Sequence, residues 1–191
     1  MARMLLSKDH EQQLLATAKL AIASGLQYGR PLQAEEIEEN QIPAELRQLC
    51  ASFVTLEINH QLRGCVGNLE ANRPLLLDIA QNAYAAAFND SRFEALQAEE
   101  FPQLQIHIAL LSAAEQILCH SEDDLIQQLQ PYVDGLILQE GLHKATFLPS
   151  VWEVLPQPAK FLRQLKQKAG LAPDYWSSTL KVYKYTTDVI S

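Results

Sequence analysis

Apolar residues recur along this chain in two periods, and the switches between them divide it into elements. Leu14, Leu15, Ala18, Ala21 and Ile22 keep the three-to-four spacing of a helix with one face turned to a core. Ser7 stands where an N-cap belongs, Glu11 follows near the first turn, and residues 25–30 with Pro31 behind them predict the stop. From Phe53 the period drops to two. Val54, Leu56 and Ile58 alternate with Phe53, Thr55 and Glu57, the pattern of a strand with one buried face. Asn59 and His60 predict a reversal, because Asn tolerates the left-handed backbone of a tight turn, and Leu62 to Gly67 (LRGCVG) forms the returning strand. Pro74 then opens an Ala-rich helix to about Phe88, whose small residues allow close packing on a sheet.

The polar turn Asn89-Asp90-Ser91-Arg92-Phe93 comes next. A strand is predicted over 104–111, with Ile106, Ile108 and Leu110 on one face and His107 and Ala109 on the other. Further on, the pattern predicts a helix over 121–130, a hairpin over 134–148, a loop over 149–158, an amphipathic helix over 160–169 closed by Gly170, and a last strand over 179–185. Residues 33–41, with Glu35, Glu36, Glu38 and Glu39, predict an exposed loop or edge. Without a regular βαβ alternation, the class is α+β with a mainly antiparallel sheet and flanking helices. The 191 residues make one domain, 1–191, or one domain with a smaller lobe.

Composition narrows the partners. A formal net charge of −8 argues against a general polyanion-binding surface, since non-specific nucleic-acid affinity comes from clustered Lys and Arg. Residues 160–168 are the best candidate for a local basic patch and read first as a solvated helix face. Three cysteines without a CxxC pair give no structural zinc spacing, and His10, His60, His107, His120 and His143 are scattered, so no metal site is expected. The apolar run near the N-terminus is too short for a signal peptide, and no stretch approaches the ~20 apolar residues of a membrane span. A reducing, cytoplasmic setting with free thiols fits this chain.

Reactive and permissive residues meet in one place, Arg63-Gly64-Cys65-Val66-Gly67. Alternation puts Arg63 and Cys65 on the same sheet face, and the glycines let a backbone or ligand approach. Cys65 is the candidate nucleophile, with Arg63 available to stabilise its thiolate. His107 and His143 are available as bases, but nothing in the spacing brings either to Cys65. The alternative is a cysteine serving as a small buried hydrophobe. Arg63 suits bidentate binding of a carboxylate or phosphate, with Gly64, Asp90 and Arg92 near it in the same ligand site. Equally, Arg63 suits an internal ion pair with Asp90 or Glu57, and Arg92 a pair with another acid.

LRGCVG, preceded by FVTL at Phe53 and followed by DSRF at Asp90, DGLIL running into TFLPSVW at 134–152, and FLRQLKQKAGL at 161–171, resembles the AMMECR family over nearly the whole chain. The resemblance implies an α+β fold in two unequal lobes with LRGCVG near a cleft between them. It supplies no activity, cofactor or substrate. It associates the chain with a Memo-like protein and a radical S-adenosylmethionine protein, and so with a modification pathway. Five residues in three segments depart from the family pattern: Asn59-His60 in place of a glycine-containing turn, Ser91 where proline is common, and His107 and Ala109 where Glu and Ser are usual. Two functions follow as expectations. The first is a cleft around Arg63 and Cys65 that binds a small anionic or nucleotide-like ligand, as an enzyme or an accessory subunit. The second is a non-catalytic protein-interaction module in which LRGCVG only holds the fold, with a nucleic-acid scaffold as a weaker third.

Overall fold

The computed structural model describes residues 6–38 and 42–191. The first helix, α1 (Lys8–Tyr28), is capped by Ser7, whose Oγ accepts the backbone N–H of His10 while His10 Nδ1 reaches back to the Ser7 N–H. Gly25 lies inside α1, and the helix ends one turn later at Gly29 in the left-handed conformation. Leu14, Ala18, Ala21 and Ile22 are buried as their spacing requires, and Leu15 is partly buried. The acidic segment expected as a loop instead forms a short helix, α2 (Ala34–Glu38). Bidentate pairing of Arg30 with Glu36 secures its first turn, with the Gln33 N–H donating to the same carboxylate. Glu39, and Met1 to Leu5 of the apolar N-terminal run, lie outside the described residues.

The hairpin forms as β1 (Ser52–Ile58) and β2 (Gln61–Gly67). Asn59 and His60 both take positive φ, 52° and 61°, so a two-residue turn of the mirror-image type closes here without glycine. Then come α3 (Leu75–Phe88), β3 (Gln105–Leu111), β4 (Glu115–Ile117), α4 (Glu122–Gln128), β5 (Gly135–Glu140), β6 (His143–Phe147), α5 (Pro158–Lys168), β7 (Lys181–Tyr185) and β8 (Thr187–Ile190). The last of these is a strand the alternation over 179–185 did not reach. Among the described residues the strands make two four-stranded sheets, ordered β2-β1-β3-β8 and β4-β7-β5-β6. The α+β class is therefore observed. The chain divides into two compact units, one running to Leu111 and taking in Asp188–Ser191, the other Ser112–Thr187.

In the first unit α3 lies against β1 and β2, and α1 packs on α3. Val54 and Leu56 of β1, Ile106, Ile108 and Leu110 of β3, and Leu75, Ile79 and Ala83 of α3 share one apolar core. Close approach of helix and sheet depends on Gly64. A Cβ there would drive into the Ala86 carbonyl of α3, a backbone atom that cannot step aside. Polar groups pin the same helix at its other end. Asp78, fully buried, accepts from the Ser52 N–H at 3.0 Å, the Ser52 hydroxyl at 2.7 Å and Asn82 at 2.9 Å, and pairs with Arg73. Every lone pair so engaged offsets the cost of burying the charge.

The second unit is built on Trp152, fully buried and stacked on Phe161 with ring centroids 3.8 Å apart. Its indole N–H donates to the Asp134 carbonyl at 2.7 Å, and residues 149–153, expected as part of a loop, form a helical turn around it. The expected solvated basic face of α5 is interrupted at Lys166, which is fully buried and donates to Glu122 at 2.6 Å. Among the described residues no helix is long and apolar enough to cross a membrane.

Two substitutions test this packing. Gly64→Ala should lower stability by about 1–3 kcal/mol through overpacking against α3, and Asp78→Ala by about 3–5 kcal/mol through a stranded Arg73 and unmet donors. Urea unfolding of each variant reads both; a loss within about 0.5 kcal/mol of the parent would contradict the assignment.

Candidate functional site

Among the described residues β2 is an edge strand, paired only with β1, and its outer backbone groups need other partners. At Cys65 the polar turn after α3 provides them. The Cys65 N–H donates to Asp90 Oδ2 at 2.9 Å, and Arg92 Nη2 donates to the Cys65 carbonyl at 3.2 Å. Asp90 and Arg92 are themselves joined, with Arg92 Nε donating to Oδ1 at 2.9 Å and Nη2 to Oδ2 at 2.7 Å. One acid and one base, two residues apart, thus stand in for a neighbouring strand over a single residue. Burial of Asp90 makes this grip strong. The Arg92 guanidinium, assisted by the N–H groups of Cys65 and Arg92, holds the Asp90 carboxyl well below the usual carboxylate range against the opposing effect of burial.

Arg63 is treated differently from the simple alternation expected. Leu56 pairs with Gly64 and Glu57 with Leu62, so Arg63 is the extra residue of a β-bulge. Its Nε and Nη2 donate to Glu100 at 2.7 and 2.9 Å in a bidentate pair, and its side chain is 15% exposed. The expected partners, Asp90 and Glu57, are not the ones it takes. Glu100 also accepts the Gln97 N–H, and the hydrogen-bonded pair lowers the pKa of Glu100 while raising that of Arg63. The Phe93 ring lies within cation–π distance of both guanidinium groups, 5.9 Å from Arg63 and 5.5 Å from Arg92. Both cations proposed for ligand binding are therefore already matched by carboxylates.

Cys65 has its thiol on the face away from α3, partly exposed, where the Thr55 hydroxyl donates to Sγ at 3.3 Å. Register places Thr55 opposite Cys65 on one side and opposite His107 on the other, so Cys65, Thr55 and His107 form one row across three strands. His107 Nε2 lies 3.7 Å from Glu57 Oε2. Of the two histidines available as bases, His107 thus shares the face of Cys65, whereas His143 belongs to the second unit with Nδ1 2.9 Å from the Ala169 carbonyl oxygen. Gly67, in the next row, leaves the space that the Phe53 ring fills. Among the described residues no three of His, Cys, Asp and Glu gather into a metal-holding group. Sequence reasoning missed Thr55 and Glu100. Thr55 was legible in principle, being in phase with Cys65, whereas nothing local marks Glu100 as the partner of Arg63.

The pH dependence of this framework has a definite sign. Asp90 and Glu100 are both held below their unfolded values, so their contribution is present above about pH 4 and is lost as the pH falls through their folded values. Asp90→Asn and Glu100→Gln proteins should trail the parent in urea unfolding at neutral pH. That gap should narrow as the pH is lowered from about 5 towards 2; a gap that stays constant would contradict the assignment.

The family model described as AMMECR1 matches residues 15–190. A protein of Methanothermobacter thermautotrophicus is 30% identical over 190 residues, covering 96% of this chain and 95% of its own length. A Saccharolobus islandicus protein is 39% identical over 131 residues, 65% of this chain and 58% of that protein. The crystal structure of the uncharacterized protein PH0010 from Pyrococcus horikoshii superposes with a TM-score of 0.88 at 28% identity, covering 98% of this chain and 93% of that one. A family model spanning nearly the whole sequence, together with a full-length relative and a matching fold, shows that this chain belongs to the AMMECR1 family.

Proposed function

We propose that the face of the first sheet bearing Cys65 is a small-molecule site whose reacting group is the thiol, and that the rest of LRGCVG holds this thiol in place. The observation that carries the reading is the division of labour within the motif. Gly64 admits α3, Val66 packs on the core, Gly67 admits Phe53, and Arg63 is spent on Glu100. The backbone of Cys65 is spent on Asp90 and Arg92, while its thiol stays partly exposed with a hydrogen bond from Thr55. Fixing the main chain on both sides of a nucleophile reduces the freedom that must be lost when it attacks.

A small anionic or nucleotide-like ligand would reach Arg63 by displacing Glu100 from the bidentate position. An uncharged electrophile needs no such exchange and suits this face better. A thiol that takes a group from an activated donor, the new bond to sulfur forming as the donor's leaving group departs and the thiol proton is given up, would also fit the modification pathway that the Memo-like and radical S-adenosylmethionine association implies. One observation favours the second reading, a protein-interaction module: the Arg63–Glu100 and Asp90–Arg92 pairs and the close approach at Gly64 all serve the fold.

Incubating the full chain with the low-molecular-weight fraction of a cell extract, followed by intact-protein mass spectrometry, separates the two. The thiol reading expects a mass increment mapped to Cys65 and absent from Cys65→Ser. No adduct on Cys65, or the same adduct on Cys65→Ser, would favour the interaction module.

A further inference from the structure

The row Cys65–Thr55–His107 has a geometry that its hydrogen bonds define further. Because the Cys65 N–H and carbonyl turn outward to Asp90 and Arg92, Cys65 and Thr55 form the non-hydrogen-bonded kind of antiparallel pair, in which side chains come closest. The backbone groups of Thr55 then turn to β3, where His107 is directly opposite. Successive pairs of these two kinds put the Cα atoms of Cys65 and His107 roughly 10 Å apart. No hydrogen bond joins thiol and imidazole among the described residues, and register places Thr55 between them in the row. The Thr55 hydroxyl is already 3.3 Å from Sγ, and the imidazole has a carboxylate beside it, Glu57 Oε2 at 3.7 Å from Nε2.

We propose that Thr55 passes the proton of the Cys65 thiol to His107, with Glu57 holding the imidazolium that results. This rests on the reading of Cys65 as the reacting group. The Thr55 hydroxyl, which donates to Sγ at rest, turns its proton to His107; the S–H bond then breaks as an O–H bond forms at Thr55, while the original hydroxyl proton passes to the His107 nitrogen that does not face Glu57. No electrons are gained or lost; the products are a thiolate, an intact hydroxyl and an imidazolium paired with a carboxylate. A threonine can serve both ends because its hydroxyl is at once a donor and an acceptor and rotates freely. The thiolate, once formed, keeps the Thr55 O–H as a donor. Base and nucleophile are thus linked across three strands, a connection that sequence spacing hides because His107 follows Cys65 by 42 positions.

Alkylation of the full-length folded protein by iodoacetamide at neutral pH reads the relay directly. The sulfur–carbon bond forms as iodide leaves, and peptide mapping separates Cys65 from Cys50 and Cys119. Thr55→Val and His107→Gln should each slow alkylation at Cys65 on the order of tenfold. Combining them should cost little more than either alone, since both interrupt one path. Thr55→Ser should restore the rate, which a merely structural role for the threonine methyl would not predict. Ready alkylation of Cys65 with Thr55→Val and His107→Gln both within about twofold of the parent would overturn the relay and leave the thiol site standing. A Cys65 protected from reagent in the folded parent would overturn the thiol site, and the relay with it.

Discussion

The grip of Asp90 and Arg92 on the backbone of Cys65 is the constraint from which the rest of the site follows. An edge strand exposes unpaired N–H and carbonyl groups that invite unwanted pairing. Here a buried carboxylate and its guanidinium partner satisfy both groups of one residue, 25 and 27 positions ahead of them in sequence. Because those outer groups are satisfied outside the sheet, the Cys65 side chain falls opposite Thr55 in the close kind of pair. The row to His107 depends on that choice. A one-residue slip of β2 would bury the thiol against α3 and turn Gly64 outward, losing the approach to Ala86.

Three further fixtures keep the hairpin in this register. Asp78 ties α3 to the first residue of β1 through the Ser52 N–H and hydroxyl. Gly64 lets the far end of the same helix sit down on β2. The bulge at Arg63 sends its guanidinium to Glu100, where a neutral or apolar residue would leave that carboxylate without its bidentate partner. Charge pairs of this kind contribute little to net stability when exposed, but a bidentate, largely buried arginine is costly to orphan, which makes the pair a device for geometry. The reactive-looking residues of LRGCVG divide accordingly. Arginine and the glycines shape the strand, and the cysteine is what the strand presents.

Much of this was legible in the residues alone, and the remainder was hidden for identifiable reasons. Alternation from Phe53 to Ile58, the Pro74 start and the Ala-rich run gave β1 and α3 because the period of burial is a local property of the chain. The residues of the candidate site were found together because Arg63, Gly64 and Cys65 are adjacent and Asp90 and Arg92 share one turn. Partner choice was not legible. Glu100 pairs with Arg63 across 37 positions, and an inserted bulge residue leaves no mark on a hydrophobic pattern. The relation of Cys65 to His107 required the registers of two strand pairs at once, which sequence period cannot supply. The helix at Ala34–Glu38 was missed because five residues are too few to show a helical period; Ile37 anchors it in the core, and Arg30 reaches Glu36 across its first turn.

Hydrogen exchange at the Cys65 amide tests the central claim most directly, since that N–H sits on an open sheet edge and is protected only if Asp90 holds it. The account predicts slow exchange in the parent. In Asp90→Ala the same amide should exchange on the order of tenfold to a hundredfold faster while the amides of β1 keep their protection. Fast exchange in the parent, or protection unchanged in Asp90→Ala, would contradict it.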